Sequence, residues 1–468
     1  MKNRFLNKTL TKVLLLVLVF MGSSFPTTTH AQLPTARQMA KKLTLGWNLG
    51  NMLEAVWMGK TYKATTYQRT IDSVKLAGFN TVRLPVAWFY HSDTVTNVID
   101  PVWFAHVKEM VDLCINDSMY VLMNTHWDNG WLDAHINVKD SALVNARQRA
   151  HWTQIANYFK DYDEHLMFAS ANEPPVSNAT QMSILLSYHK TFINAVRATG
   201  GNNSSRTLIV QGPSTDIDKT YSLMNTMPKD QISGRLMVEV HYYTPSQFCL
   251  LNSDADWGKM FYYWGQGNHS TTDTIRNATW GEESDMDKTL NKIKTKFIDN
   301  GIPVIIGEYG AFRKNLSNVS PPSSQELHNA SILSWYKYFV KSATQKGLIT
   351  YCWDTGGIFN FTTGQVKDKD VLSSIKQAYN EAMPTAVNNV VDAKFKIYPN
   401  PFQTTFTLNA DNMTGVKWVE ITDLVGKMVE SDNFQSGIHT LGSALKPGVY
   451  IVRVSGSNWS KSAKVIKR

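Results

Sequence analysis

Cysteine is scarce in this chain, with Cys114, Cys249 and Cys352 the only three in 468 residues. Their scatter supports neither a disulfide framework nor a thiolate metal site. One pair could bridge, and spacing does not choose it. After the first segment no apolar run reaches the roughly 20 residues that a membrane-spanning helix needs. His-Glu-x-x-His, Walker and dinucleotide-binding signatures are missing too, so no metal and no cofactor is expected. A concentrated block of one charge is also lacking in the body of the chain. The formal charge is +9, but Lys2, Arg4, Lys8 and Lys12 fall in the first 31 residues, which hold no acid. From Ala393 onward ten basic residues face five acidic ones. The stretch between is near neutral, which argues against a nucleic-acid partner.

What is present begins with an export signal. Basic residues precede the apolar run Val13 to Met21, and Thr29-His30-Ala31 offers a small-residue cleavage site. Residues 1–31 are therefore expected to be a signal peptide, with the mature chain starting at Gln32. Hydrophobic content of 43% is ample for a sizeable core, and the 14 Trp are more than packing alone usually takes.

From Leu43 to Met383 short β-like runs alternate with helical stretches. The predicted strands are 44–47, 81–85, 120–124, 166–170, 207–211, 236–240, 303–307 and 348–353. Helical periodicity marks 105–116, 181–196, 286–297 and 333–342. Such alternation implies parallel strands with crossover helices, and about eight units close a (β/α)8 TIM barrel, here residues 32–383. The long segment from His241 to Met286 reads as a cleft wall, in which Trp257, Phe261, Tyr263 and Trp264 either pack or meet a ligand. Residues 384–393 read as a linker. After it, residues 394–468 show short alternating segments between turn signals such as Asn400-Pro401 and Lys446-Pro447-Gly448, the pattern of a small all-β sandwich.

On a barrel, functional side chains belong at the C-terminal ends of the strands. Strand four ends in Ala171-Asn172-Glu173-Pro174 and strand seven in Gly307-Glu308-Tyr309-Gly310. A lone Glu at either place would be an ordinary salt-bridge partner. Two, on strands facing each other across the mouth, fit glycosidic cleavage, where one carboxyl protonates the leaving oxygen and the other stays ionised. Arg83 lies inside the apolar strand Val82-Arg83-Leu84 and must be paired, most naturally with a catalytic carboxylate. His126, His241, Tyr243 and Trp353 stand at further strand ends.

Taken together these stretches resemble glycoside hydrolase family 5, the cellulases, mannanases and related enzymes. The matching segments are Gly46-Trp47-Asn48-Leu49-Gly50-Asn51, Asn80-Thr81-Val82-Arg83-Leu84-Pro85, Asn124-Thr125-His126-Trp127, Asn172-Glu173-Pro174, His241-Tyr242-Tyr243, Ile306-Gly307-Glu308-Tyr309-Gly310 and Trp353. They span about Arg37 to Met383. The resemblance implies a retaining mechanism with Glu173 as acid/base and Glu308 as nucleophile. It implies that Asn172 meets the sugar 2-hydroxyl and that Arg83 and Tyr243 orient Glu308 and keep its pKa low. His126 and His241 would bind sugar hydroxyls, and Trp353 would stack beneath the sugar. One departure is Trp127, where many members carry a second histidine.

The tail resembles the C-terminal sorting domain of the type IX secretion system, through Tyr398-Pro399-Asn400-Pro401, Asp423-Leu424-Val425-Gly426, Pro447-Gly448-Val449-Tyr450 and the basic end Lys464, Lys467, Arg468. That implies the secretion machinery as a partner and a secreted or cell-surface destination. A carbohydrate-binding module would want more aromatics than Trp418, Tyr450 and Trp459. The expected protein is thus an exported monomer cutting a β-glucan, an endo-β-1,4-glucanase. A β-mannanase, lichenase or xyloglucanase of the same fold is the alternative, and a non-catalytic surface glycan-binding protein the different-class reading.

Overall fold

The computed structural model describes residues 33–55, 64–317, 323–383, 395–409, 417–424, 428–434, 437–455 and 460–468. The expected signal peptide lies outside the described residues, as does the expected linker 384–393.

Eight parallel strands close into a barrel in chain order: β1 Leu45–Leu49, β2 Phe79–Leu84, β3 Tyr120–Asn124, β4 Leu166–Ala169, β5 Leu208–Gln211, β6 Leu236–Tyr242, β7 Val304–Tyr309 and β8 Ile349–Asp354. Each predicted barrel strand is present, shifted at its ends by a few residues. The four predicted helices lie within Pro101–Asn116, Ala179–Ala198, Glu283–Ile293 with its continuation Lys294–Ile298, and Gln325–Gln345. Side chains alternate along each strand. Val121, Phe168, Val238 and Ile306 join the shell packed against the helices. Leu122, Met167, Met237 and Ile305 fill the barrel, whose lower end is plugged by Ala36, Met39 and Leu43.

Alternation alone would turn Glu308 the wrong way. Ile305 faces the interior and Ile306 the helices, so Gly307 should face in and Glu308 out. The β6–β7 register shifts instead, pairing Val240 with Ile306 and His241 with Glu308, so that Gly307 is skipped. This bulge re-aims the next side chain into the barrel. Gly307 is required there, because a Cβ would stand 2.0 Å from Oε1 of Glu239.

The tail forms two antiparallel sheets. One orders β13 (Ile438–Leu441), β10 (Phe406–Asn409) and β9 (Lys396–Tyr398), and the other β12 (Met428–Phe434), β11 (Lys417–Thr422), β14 (Gly448–Ser455) and β15 (Ser460–Lys467). Phe406, Leu408 and Leu441 from the first meet Val419, Ile421, Val452, Val454 and Val465 from the second in one core. This is the expected sandwich. Strand β12 escapes the sequence reading because Met428-Val429-Glu430-Ser431-Asp432 is polar and lies at a sheet edge, where one side faces water.

All three cysteines are free and buried, so the possible disulfide is not formed. Among the described residues no helix is long and apolar enough to cross a membrane.

Candidate active site

The structure brings the sequence-predicted residues to one end of the barrel, and Arg83 is the hub. Fully buried on β2, it faces inward and spreads its guanidinium toward three other strands and the loop after β4. Nη1 donates to Oε1 of Glu308 at 2.8 Å and to Oδ1 of Asn48 at 3.0 Å. Nη2 donates to Oδ1 of Asn172 at 2.9 Å. Nε forms an ion pair with Oε1 of Glu239 at 2.8 Å. A planar fork can hold several acceptors in fixed directions, which a lysine cannot.

Glu308 is nearly closed off, with its side chain 8% exposed, whereas that of Glu173 is 45% exposed. The hydroxyl of Tyr243 donates to Oε2 of Glu308 at 2.9 Å. Burial is the largest influence on Glu308 and leaves its carboxyl above the ordinary value, against the pull of His241 and Arg83. The expectation that Arg83 and Tyr243 hold it low is therefore corrected: desolvation outweighs them.

Glu173 stands in the loop after β4. Nearby backbone is fixed by Gln211, whose Oε1 accepts from Ala171 N at 2.8 Å, and by Ser214 N donating to Pro174 O at 2.7 Å. His241 Nδ1 lies 2.6 Å from Oε1 of Glu173 and 3.7 Å from Oε2 of Glu308, and its Nε2 lies 3.2 Å from Oε1 of Glu239. Burial favours a neutral imidazole, yet Glu308, Glu173 and Glu239 push His241 up to about 9. Burial likewise pushes Glu173 up, but the His241 and Arg83 charges hold it below the usual carboxylate value.

One ligand-capable atom from each of Glu173, His241 and Glu308 lies within 4.8 Å of the others. Such a triangle suits a cation. The Arg83 guanidinium already supplies positive charge at Glu308. His126 reaches the mouth from the β3 loop, where its ring lies 13° from parallel to that of Trp353, with centroids 6.0 Å apart. Burial, with the nearby charges of Arg83 and His241, keeps His126 well below the ordinary histidine value.

Other expectations divide. Trp127 and Trp257 are exposed, while Trp131, Phe261, Tyr263 and Trp264 are buried packing residues. Asn48 is buried, its side chain held by Arg83 and the carbonyl of Gly307. Residues missed in the sequence include Trp280, exposed beside the groove that His241 lines. Asp133 is buried on the β3 loop and pushed up to about 8 by burial and by the charges of Glu173 and Asp128. The main omission is Glu239, wholly buried between Arg83 and His241. Its signal was there: a lone acid in the apolar strand Met237-Val238-Glu239-Val240 demands a partner as much as Arg83 does.

A closed (β/α)8 barrel with two glutamates converging at the C-terminal ends of β4 and β7 defines the class as a glycoside hydrolase. Residues 40–357 match the cellulase model of glycosyl hydrolase family 5, and the chain belongs to that family. A xyloglucan-specific endo-β-1,4-glucanase of Bacteroides ovatus is 33% identical over 74% of this chain and 70% of its own. Endoglucanase B of Clostridium cellulovorans is 33% identical over 70% of this chain and 72% of its own. Among solved structures, a xyloglucan-specific β-1,4-glucanase from a ruminal metagenomic library superposes with a TM-score of 0.67. It is 38% identical, covering 76% of this chain and 99% of that one. A broad-specificity endoglucanase of Ruminococcus champanellensis gives a TM-score of 0.62 at 30% identity over 74% and 99%. Residues 396–468 match the secretion system C-terminal sorting domain, which marks the protein for export to the cell surface or beyond.

Proposed function

We propose that this protein is an exported endo-β-1,4-glucanase that works by double displacement, with Glu173 as acid/base and Glu308 as nucleophile. The observation that carries the assignment is the closeness of the two carboxylates, with oxygens within 4.8 Å. Retaining enzymes use a separation of about 5–5.5 Å, whereas inverting ones leave roughly 6.5–9.5 Å for a water.

In the first step a Glu308 oxygen bonds to the anomeric carbon while the bond to the leaving oxygen breaks. The proton of Glu173 passes to that oxygen. In the second, ionised Glu173 takes a proton from water, the water oxygen bonds to the anomeric carbon, and Glu308 is released. Arg83 and Tyr243 aim Glu308 through both of its oxygens. Asn172, held by Arg83, faces the sugar 2-hydroxyl, and Trp353 stacks beneath the ring. Sugar covering Glu173 removes water from its exposed side chain and raises its pKa, which loads it for the acid role.

We take residues 32–383 as the hydrolase, 384–393 as a linker and 394–468 as the sorting tail. We take the protein to act as a monomer; both acids and their partners come from one chain, so the site needs no second copy. A branched β-1,4-glucan is the second reading, favoured by the xyloglucan-specific relatives at 38% and 33% identity. Reducing-sugar release from carboxymethylcellulose, barley β-glucan, xyloglucan and glucomannan, with Glu308→Gln as control, tests both. Release that vanishes in the control identifies the enzyme and ranks its substrates. Silence of folded protein on all four overturns the assignment.

A further inference from the structure

The two nitrogens of His241 each face a carboxylate, Nδ1 toward Glu173 at 2.6 Å and Nε2 toward Glu239 at 3.2 Å. A neutral imidazole has one donor and one lone pair, so it would set that lone pair against a carboxylate oxygen. While both carboxylates are ionised, only the imidazolium satisfies both. Glu239 is itself immobilised: Arg83 pairs with Oε1, Gln211 Nε2 donates to Oε2 at 2.5 Å, and the absent side chain of Gly307 leaves room for it. It touches neither the cleft nor the place of the sugar, being fully buried.

We propose that Glu239 is a positioning residue for the acid. By binding Nε2–H of His241 it fixes the ring with Nδ1–H aimed at Glu173, and it retains on the Glu173–His241 pair the proton that the leaving group needs. In the free enzyme that proton rests on His241. As sugar covers Glu173, the separated charges lose their water and the proton crosses the 2.6 Å contact to the carboxyl. The pair titrates as a unit, so the alkaline limb of the rate profile reports the loss of this proton.

Other charges face His241 and set the same balance. From β7 comes Glu308, from β2 Arg83, from the β3 loop His126 and from the end of β6 Tyr243. The groove that His241 lines also holds Asp216, Asp218 and Asp285, with Lys288 and Lys292 opposite in charge. Three carboxylates against the two cations Arg83 and His241 make the immediate surroundings negative, which favours keeping the proton. The high pKa of His241, pushed up to about 9, agrees with this.

The inference rests on Glu173 as the acid, and the experiment separates the two. Glu239→Gln removes one negative charge at nearly constant shape. The alkaline limb of kcat/KM on a soluble glucan is expected to move about 1 pH unit or more toward acid, as befits loss of a charge at contact distance. The acidic limb should move less, and an aryl β-cellobioside with a good leaving group, which needs little protonation, should lose far less rate. Glu239→Asp should restore part of the limb. A uniform fall in kcat at every pH, equal on both substrates and with limbs in place, overturns the proposal and leaves Glu239 a structural residue. If Glu239→Gln does not fold, nitrogen NMR of His241 in the native protein decides: an imidazolium at pH 8 is expected, and a neutral ring at pH 7 overturns it. Azide rescue of Glu173→Ala on the aryl glycoside tests the acid assignment independently. Its failure would remove that assignment whatever the limb does.

Discussion

Two arginines are buried in the barrel to the same degree and do opposite things. Arg83, at the mouth, meets the carboxylates of Glu239 and Glu308. Arg206, just before β5 at the other end, meets no carboxylate at hydrogen-bond distance among the described residues. It donates to the carbonyls of Asp163 at 2.7 Å, Leu166 at 2.6 Å and Tyr162 at 2.5 Å, and to Oδ1 of Asn203 at 2.7 Å. The carbonyls of Phe159 and Lys160 lie near it too, so it gathers the backbone of the segment that runs from the end of the helix Ser141–Tyr158 into β4. Carbonyl dipoles cannot compensate a buried charge as carboxylates do. Burial therefore draws Arg206 down to about 9, while Glu239 and Glu308 leave Arg83 raised despite equal burial. Burial of an arginine thus marks strain or structure. At the mouth it is the convergence of Glu239 and Glu308 on one guanidinium that sets Arg83 apart.

The largest expected break in this contrast is at the nucleophile. Glu308→Gln should lower kcat by about 10⁴-fold or more with thermal unfolding little changed. Residual activity within tenfold of native would remove the nucleophile assignment. Next come the arginines compared through one substitution. Arg83→Lys keeps the charge but loses the fork, and kcat should fall about 10²-fold through misplacement of Glu308 and Asn172. Arg206→Lys should cost roughly 2–3 kcal/mol of stability by stranding carbonyls, with kcat per folded molecule nearly native. Equal losses of activity at both positions would erase the distinction. At Gly307, Gly307→Ala drives a Cβ into Glu239, and kcat should fall about tenfold or more. Native kinetics would show that the bulge does not need glycine.

The smallest effect concerns pH, and it contrasts two kinds of buried histidine. Burial holds His189 and His328 at about 4 and His151 at about 3, so the fold keeps them neutral. Between about 4 and 6.5 the unfolded chain binds protons these sites refuse, so stability falls as pH drops through that window. His241 behaves in reverse. Its folded value of about 9 exceeds the unfolded one, so its contribution is full below about 6.5 and is lost as pH rises through 9. Unfolding temperature against pH should decline on both sides, and His241→Asn should flatten the alkaline decline. An unchanged alkaline side would mean that His241 is not charged in the fold.

Much of this was legible in the sequence because barrel strands are short apolar runs bounded by turns, and because family motifs fix residue order. Glu173, Glu308, Arg83, His126, Asn172, His241, Tyr243 and Trp353 converge at the mouth for that reason. What stayed hidden depends on three-dimensional detail. Alternation along Val304–Tyr309 misplaces Glu308 until the bulge at Gly307 is seen. Aromatic content cannot tell Trp257, 65% exposed, from Trp264, whose Nε1 donates to the carbonyl of Gly281 inside the fold. Glu239 needed only the argument already applied to Arg83, that a charge in an apolar strand must be paired. In β12 polar residues at an edge carry no apolar period to detect.

Trapping the covalent intermediate tests directly whether Glu308 is the nucleophile. Native protein would be treated with an activated 2-deoxy-2-fluoro cello-oligosaccharide, which forms the ester readily and hydrolyses it slowly, and then digested and analysed by mass spectrometry. One glycosylated peptide is expected, with the sugar on Glu308 and none formed by Glu308→Gln. Sugar on Glu173, or turnover of natural glucan with inversion and no trapped ester, would contradict it.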